Sequence, residues 1–188
     1  MQDVFIAPLQ ISNKELLQRV IIELRKVLSA KISIAELNLD LKKSYSSERN
    51  QYYSTQIIAE AVNQTPHLNG KVVLMVDFDL YIPVFTFVFG EAQMNGKHSI
   101  VSLCRLHEEF YTGKTNDELL FDRTIKEVLH ELGHNFGLLH CNNWDCVMHS
   151  SSIIEEVDIK GRSYCSQCIK SIPVNNNGRF RFWPGQRS

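Results

Sequence analysis

The chain has 188 residues, 44% of them hydrophobic and 22% charged, which is enough for one sizeable buried core and predicts a single domain. Its 20 basic and 21 acidic residues give a formal net charge of -1, which excludes a broad basic surface for nucleic acid or an anionic membrane. The start, Met1 to Pro8, lacks the regions of a signal peptide, and no apolar run reaches membrane-spanning length, so we expect a cytoplasmic protein with no membrane partner.

The first fifty residues alternate strand-like and helix-like patterns. Asp3 to Leu9 is typical of a short buried strand, and Ser12 with Glu15 forms the pattern of a capping box that opens an amphipathic helix. Lys31 to Leu39 begins as a second strand, and the polar run Lys42 to Asn50 is predicted to be a surface loop. A strand, a helix and a strand in this order predict a parallel pair joined by a crossover.

The middle of the chain predicts one more helix and three strands. The helix covers Ser54 to Gln64, and Val72 to Val76 is an apolar strand of the kind that is buried on both faces. Phe85 to Phe89 alternates around aromatic residues, and Ser99 to Leu103 follows the turn signal Asn95-Gly96. We therefore expect these two segments to form a hairpin.

A second capping-box pattern, Thr115 with Glu118, opens the helix that carries the most informative motif of the chain. Beyond Gly137 the sequence is rich in Ser, Asn and Cys, with one short helix predicted near Cys165 to Ile172, so metal is expected to do part of the work of a core. The stretch 173–188 is predicted to be a disordered tail.

Three histidines have the spacing of a catalytic zinc site. His130 and His134 are four apart, so they share one face of the helix and can present two nitrogens to one ion. Gly137 can adopt a left-handed conformation and turn the chain back, which makes His140 the third ligand. The fourth coordination position then stays open for water.

Glu131, next to the first ligand, is predicted to be the general base. It projects about 100° away from His130, so it flanks the open position instead of binding the ion. The alternative is that these are unremarkable helix residues, because a lone His-Glu-x-x-His pattern arises by chance in roughly one chain in a hundred or two. Adding Gly137 and His140 at their offsets lowers that expectation to the order of 10⁻⁵ per chain, which favours the metal site.

Four of the five cysteines predict a second, structural zinc. Cys141 and Cys146 enclose four residues, and Cys165 and Cys168 enclose two, which suits a closed tetrahedral site. A redox Cys-x-x-Cys, a pair of disulfides and unrelated buried thiols are the alternatives. Cys104 lies apart and is expected to be a buried apolar residue.

The two sites are expected to be mechanically coupled, because Cys141 directly follows His140. In an extended segment their side chains point to opposite sides and can serve two ions, so the cysteine zinc would fix the loop that positions His140. Lys160, Arg162 and Lys170 are candidates to compensate the thiolate charge; a solvated basic surface is the alternative.

This arrangement of histidines and cysteines, with Met148 between them, resembles the archaemetzincins, a metzincin family of zinc peptidases. The resemblance covers residues 1–172 and includes upstream segments around Arg49 to Tyr52, Asp77 to Tyr81 and Phe87 to Ala92, with Val101-Ser102. It implies that Met148 is the methionine of the Met-turn, whose thioether packs beneath the catalytic zinc without binding it.

The resemblance also implies an α+β, zincin/metzincin-like fold. A mixed β-sheet would lie over the active-site helix in an upper part, 1–137, and a small zinc-stabilised C-terminal part would cover 138–172. The strand at Phe85 to Phe89 would border the cleft and pair with extended substrate. Aromatic residues of an internal strand are the alternative.

The sequence therefore predicts a zinc metallopeptidase with two zinc ions per chain, acting as a monomer on peptides or proteins. A zinc-stabilised peptide-binding protein with little activity is the alternative; Glu131 argues against it. A nucleic-acid-binding zinc module is disfavoured by the balanced charge.

Two further sets of residues have less specific signals. Tyr164, His149 and Tyr81 are chemically able to stabilise an oxyanion, but none is selected by its spacing. Asp77 and Asp79, at the end of an apolar strand, are expected to be structural.

Overall fold

A computed structural model of the protein describes residues 3–28 and 30–172, so the tail predicted at 173–188 lies outside the described residues. Its centre is a mixed five-stranded sheet in the order β2-β1-β5-β8-β7, in which only β7 is antiparallel to its neighbour. The strands of this sheet are β1 Asp3–Leu9, β2 Lys31–Ile34, β5 Gly70–Val76, β7 Gly90–Ala92 and β8 His98–Ser102. The parallel β1-β2 pair with its helical crossover is confirmed.

The remaining elements are a small second sheet and six α-helices of the described residues. The second sheet has the order β3-β4-β6, with β3 Tyr45–Ser46, β4 Gln51–Tyr53 and β6 Leu80–Tyr81. The helices are α1 Lys14–Val27, α2 Ser54–Gln64, α3 Glu109–Thr112, α4 Asp117–Asn135, α5 Ile154–Ile159 and α6 Ser166–Ser171.

Helices cover both faces of the main sheet. Along β5, Val73 and Met75 pack in one core with residues of α1 and α4, while Val72 and Leu74 pack in a second core with α2. This is why the strand is a continuous apolar run: successive side chains point to opposite faces, and both faces are buried. The expected mixed sheet above the motif helix is thus present.

Both predicted capping boxes are wrong by one residue. The N-caps are Asn13 and Asn116, whose side chains accept hydrogen bonds from Leu16 N at 2.9 Å and from Leu119 N at 3.1 Å. Asparagine is as good an N-cap as serine or threonine, so the neighbouring Ser12 and Thr115 offered an equivalent but incorrect start.

The predicted hairpin exists, but its first strand is β7 and not Phe85–Phe89. In the aromatic segment only Val88 forms an isolated bridge, to Leu80. The carbonyls of Phe85 and Thr86 instead accept hydrogen bonds from the guanidinium of Arg49, at 2.8 and 3.3 Å. Because Arg49 occupies carbonyl acceptors that a neighbouring strand would otherwise use, the segment Phe85–Phe89 is irregular and not a strand.

The part of the chain after Gly137 differs from expectation in its packing. Val147, Met148, Val157 and Tyr164 are buried in the same core as α1 and α4, so this part depends on apolar contacts as well as on its cysteines. Its helix α5 had no clear sequence signal, since only Ile154 and Val157 of its six residues are buried. No helix within residues 3–28 and 30–172 is long and apolar enough to cross a membrane.

Candidate active site

The helix α4 and the turn that follows it bring the three predicted histidines together. His130 and His134 lie one turn apart on α4, which ends as Gly137 takes a positive φ of 86°. The returning chain places the ring of His140 with its centroid 5.3 Å from that of His130 and 4.9 Å from that of His134. One nitrogen from each histidine lies within 4.8 Å of the others.

Backbone carbonyls orient the two helical imidazoles. His130 Nδ1 lies 2.8 Å from the carbonyl of Val147, and His134 Nδ1 lies 2.7 Å from that of Leu138. Each Nδ1 therefore carries the proton and donates it, which leaves the lone pairs of both Nε2 atoms available to a metal ion. Burial lowers the pKa of both imidazoles, which keeps them neutral.

The spacing of these nitrogens fits a zinc ion. The two Nε2 atoms are 3.1 Å apart, and a tetrahedral zinc with Zn–N bonds of about 2.0 Å would hold them about 3.3 Å apart.

Glu131 is enclosed beside the histidines. It is 5% exposed, and burial, followed by the charge of Glu127, raises its pKa well above the usual range, while Lys160 opposes that shift. A Cβ atom at Gly90 would lie only 2.6 Å from Glu131 Oε1, so the strand β7 approaches the carboxylate directly. Among the described residues, no cation lies within hydrogen-bond range of this carboxylate, which is held next to the histidine cluster.

A cavity of about 570 Å³ opens in front of Glu131 and the histidines. Its walls are β7, the aromatic segment Phe85–Phe89 and the segment Ser150–Ser152. The aromatic segment therefore borders the cleft as predicted, although it is not a strand. Glu91 in this wall is tied to α2, because its carboxylate accepts hydrogen bonds from Ser54 Oγ at 2.5 Å and Thr55 Oγ1 at 2.7 Å.

The four cysteines predicted to bind the second ion also come together. Cys141 Sγ lies 3.8 Å from Cys165 Sγ, and Cys146 Sγ lies 3.7 Å from Cys168 Sγ, with all four free thiols. A tetrahedral zinc with Zn–S bonds of about 2.3 Å separates its sulfur atoms by about 3.8 Å, whereas a disulfide needs about 2.05 Å. The sulfur spacing fits zinc and not a pair of disulfides.

Met148 lies directly beneath the histidine-bearing turn of α4. It is fully buried, and a Cβ atom at Gly133, between the two helical ligands, would lie 2.2 Å from Met148 Sδ. The contact requires a glycine on this face of the helix, and the Met-turn role of Met148 stays a prediction from the family resemblance.

Each of the three side chains considered for the oxyanion has another contact. The Tyr164 hydroxyl donates to the carbonyl of Leu129 at 2.5 Å, and His149 Nδ1 lies 2.9 Å from the carbonyl of Cys141. The ring of Tyr81 packs beneath the guanidinium of Arg49. None of them lines the cavity.

The charged residues near the sites also differ from expectation. Lys160 pairs with a carboxylate: its Nζ lies 2.7 Å from Glu127 Oε1 in the wall of the cavity. Arg162 pairs with Asp122. Lys160 and Arg162 therefore compensate carboxylates of α4, because that helix carries the acidic groups within their reach.

Asp77 and Asp79 are structural, as predicted. Asp79 receives a bidentate hydrogen bond from Arg105, at 2.8 and 2.7 Å, and Asp77 lies 3.1 Å from His107 Nε2. Neither carboxylate lines the cavity.

Sequence reasoning gave no role in this site to Gly90, Gly133 and Glu127, and it placed Lys160 beside the cysteines instead. Glu127 precedes Glu131 by four residues, so helical spacing alone could have placed it on the same face. The others depend on contacts between distant segments.

A histidine triad with an adjacent buried carboxylate, lying in an open cleft beneath the edge of a mixed sheet, defines the class of zinc metallopeptidases. Residues 13–173 match the model of Peptidase family M54. The archaemetzincin of Pyrococcus horikoshii is 41% identical over 141 residues, 73% of this chain and 75% of that one. The chain belongs to Peptidase family M54, the archaemetzincins.

Solved structures agree with this assignment. An archaemetzincin from Archaeoglobus fulgidus, complexed with malonate, covers 90% of this chain and 99% of its own at a TM-score of 0.77 and 31% identity. A zinc-dependent peptidase from Methanocorpusculum labreanum covers 90% of this chain and 100% of its own, with a TM-score of 0.81 and 29% identity. The zincin-like α+β fold is therefore confirmed.

Proposed function

We propose that this chain is a metzincin-type peptidase that hydrolyses peptide bonds with Glu131 as its general base. The observation that carries the proposal is the burial of Glu131 at the cavity wall beside His130, where no cation of the part of the chain that the structure describes lies in hydrogen-bond range. A protein that only bound zinc and peptide would have no use for a costly buried carboxylate at this position.

The roles follow from the positions of the side chains. His130, His134 and His140 would hold a zinc ion, which when bound polarises the substrate carbonyl and lowers the pKa of water. Glu131 accepts a proton from the attacking water and later donates it to the leaving amine. The backbone at Gly90 and the carbonyls behind the imidazoles limit the movement of these groups before substrate arrives.

The substrate backbone is proposed to pair with β7. This strand lies at the edge of the five-stranded sheet, its inner side pairs with β8, and Gly90, Glu91 and Ala92 line the cavity. An extended peptide can add to such an edge through main-chain hydrogen bonds. In this proposal β7, and not the segment Phe85–Phe89 expected from the sequence, is the strand that pairs with extended substrate.

A second zinc is proposed at the four cysteines, which makes two ions per chain. The support is the sulfur spacing of 3.7 and 3.8 Å between the thiols. All four donors would be protein side chains, so this ion would have no open position for substrate and would be structural. The cytoplasmic location and the monomeric state stay predictions from the sequence.

The decisive variant is Glu131→Gln, which keeps the shape of the side chain and removes the base. The zinc content, measured by inductively coupled plasma mass spectrometry, is expected to stay at two ions per chain. The rate of cleavage of a mixed peptide library is expected to fall by about 10²–10⁴-fold. Glu155→Gln, the same change at an exposed position, is the control and should keep full activity.

Zinc-loaded protein that binds peptides and cleaves none would contradict the proposal and favour the peptide-binding alternative. If His140→Ala keeps two zinc ions per chain, the assignment of His140 as a ligand is wrong.

A further inference from the structure

The turn between β7 and β8 rests on the C-terminal end of α4. This turn, residues 93–97, begins directly after the last residue of β7, the strand proposed to pair with substrate. The backbone N–H of Asn95 donates to the carbonyl of His134 at 2.8 Å. The side chain of Asn95 also lies at the helix end, because its Oδ1 would be 3.5 Å from a Cβ atom at Gly137. The turn therefore contacts the backbone of a proposed zinc ligand directly.

Asn135, the residue after that ligand, binds both ends of the turn with its side chain. It is fully buried, and its Nδ2 donates to the carbonyls of Gln93 and His98 at 3.1 and 2.9 Å. These two residues face each other across the hairpin, since Gln93 N–H donates to the carbonyl of His98 at 2.9 Å. One amide group thus holds both chains of the hairpin against α4.

Lys71, from β5, bridges the same two elements from another side. Its Nζ donates to the carbonyl of Gly96 in the turn at 2.6 Å and to the carbonyl of Asn135 at 2.7 Å. The carbonyl of Asn135 belongs to the last residue of α4, where backbone carbonyls have no partner within the helix and a cation is favourable. The ammonium group therefore ties the turn to the helix end through two charge-assisted hydrogen bonds.

These contacts fix β7 against α4 at both ends of the strand. At its start, Gly90 lies against Glu131, and after its last residue the turn is bound to His134 and Asn135. An extended peptide on the outer side of β7 would take its position relative to the proposed base and the histidines from these contacts. Catalysis is sensitive to this position, because reacting groups must be held about 3–3.5 Å apart.

We propose that Lys71 and Asn135 are positioning residues, which hold the substrate-pairing strand β7 in register with the end of α4 that carries His134. The proposal rests on the proposed peptidase function for the roles of β7 and of the histidine. Neither Lys71 nor Asn135 lines the cavity, so neither is expected to contact substrate. Their loss should therefore slow the reaction of bound substrate more than it weakens binding.

Asn135→Leu tests the amide group, because leucine has the same branched shape and no polar atoms. The carbonyls of Gln93 and His98 keep the N–H groups of Gly96 and Gln93 as donors, so the variant is expected to fold. We expect kcat to fall at least about tenfold, while KM changes less than about threefold. Zinc should stay at two ions per chain. Steady-state kinetics and metal analysis measure these quantities.

Lys71→Met removes both bonds of the ammonium group and should give the same division between kcat and KM. Lys71→Arg keeps charged donors at this position and should restore most of kcat. The control is Lys97→Met. Lys97 lies in the same turn, and its Nζ donates to the carbonyl of Thr65 at 2.9 Å, so this change removes a similar bond without releasing α4. It should keep the wild-type kcat.

Amide exchange measures the contact without any peptidase activity. The bond from Asn95 N–H to His134 must open before this proton exchanges with solvent. In the zinc-loaded protein that carries both Lys71→Met and Asn135→Leu, we expect NMR to show exchange at Asn95 at least about tenfold faster than in the wild type. Lys97→Met should leave the rate unchanged.

Two kinds of failure can be told apart. If the wild type cleaves peptides and both single variants keep its kcat, or change only KM, the positioning role is overturned and the peptidase function stands. If the wild type cleaves no peptide, the peptidase function fails, and exchange at Asn95 decides the rest. Faster exchange in the double variant then supports the attachment of the hairpin to α4 by Lys71 and Asn135, and an unchanged rate overturns it.

Discussion

At the scale of single residues, the position of Glu131, the proposed base, depends on the absence of a side chain at Gly90. A Cβ atom at Gly90 would lie 2.6 Å from Glu131 Oε1 and 2.8 Å from Glu131 Cγ. The carbonyl oxygen of Ile100 in β8 would also lie 2.8 Å away. These distances are far below van der Waals contact, so a methyl group at Gly90 must displace the carboxylate and strain the pairing of β7 with β8.

Gly90→Ala is therefore expected to lower kcat by about 10²-fold or more, since a displacement of about 1 Å at a catalytic group has effects of this size. Zinc content is expected to stay unchanged, because the three atoms nearest to that Cβ belong to Glu131 and Ile100 and not to the histidines. Steady-state kinetics with zinc analysis checks this. Unchanged kcat would show that Glu131 tolerates the shift or is not the base.

A second prediction at this scale concerns the proton on His107. Its hydrogen bond to Asp77 raises the pKa of the imidazole above 6.5. Asp77→Asn is expected to lower that pKa, measured by NMR titration, with Asp145→Asn at an exposed position as the control. A folded-state pKa above the unfolded value stabilises below pH 6.5, and this contribution is lost as pH rises through the raised pKa. An unaltered titration of His107 would contradict the assignment.

At the scale of elements, α4 carries a glycine where helix propensity alone would favour alanine. A Cβ atom at Gly133 would lie 2.2 Å from Met148 Sδ and 3.0 Å from Tyr164 Cε1. A glycine is needed there because Met148 and Tyr164, from the segment after α4, pack directly against the helix backbone.

Gly133→Ala would gain about 0.5–1 kcal/mol of helix stability at an open position, but overpacking costs about 1–3 kcal/mol. We expect the free energy of unfolding of the zinc-loaded protein to fall, as measured by chemical denaturation. Met148→Ala removes the obstructing sulfur, so the double variant should be more stable than the sum of the two single effects. Strict additivity would rule out the clash as the cause.

The sequence predicts elements well where one segment determines its own structure. The helix Ser54–Gln64 has the predicted bounds, and the buried strand β5 follows from its apolar run. The aromatic segment fails because Arg49, from a different part of the chain, binds its carbonyls. Local pattern cannot reveal a partner that is more than thirty residues away.

The same rule applies to the candidate site. The spacing of His130, His134 and His140 on a helix and its turn is local, and the structure brings them together as predicted. The ion pair of Glu127 with Lys160 joins α4 to the residue that follows α5, so spacing gave no signal for it. Lys160 was expected beside the cysteines instead.

At the scale of the whole molecule, the two predicted zinc sites share one stretch of backbone. Cys141 N–H donates to the carbonyl of Met148 at 2.9 Å, and the carbonyl of neighbouring Val147 orients His130. Loss of the cysteine-bound ion should therefore loosen both the third histidine and the support of the first.

Replacing Cys165 and Cys168 by Ser is expected to lower zinc from two ions per chain to fewer than one, because the histidine site loses affinity along with the cysteine site. Cys104→Ser is the control, since Cys104 is not among the clustered thiols, and should keep two. Metal analysis after dialysis measures this. One tightly held zinc with full peptidase activity would show that the sites are independent.

The two backbone carbonyls that accept hydrogen bonds from His130 and His134 have a consequence for folding during synthesis on the ribosome. They belong to Leu138 and Val147, which are synthesised after α4 is complete. A nascent chain that has emerged only through Asn135 contains His130, Glu131 and His134. It still lacks the carbonyls that fix the tautomers of the two histidines, and it lacks His140, the proposed third ligand. If the proposed site is correct, it is therefore complete only once the C-terminal segment has folded back onto α4.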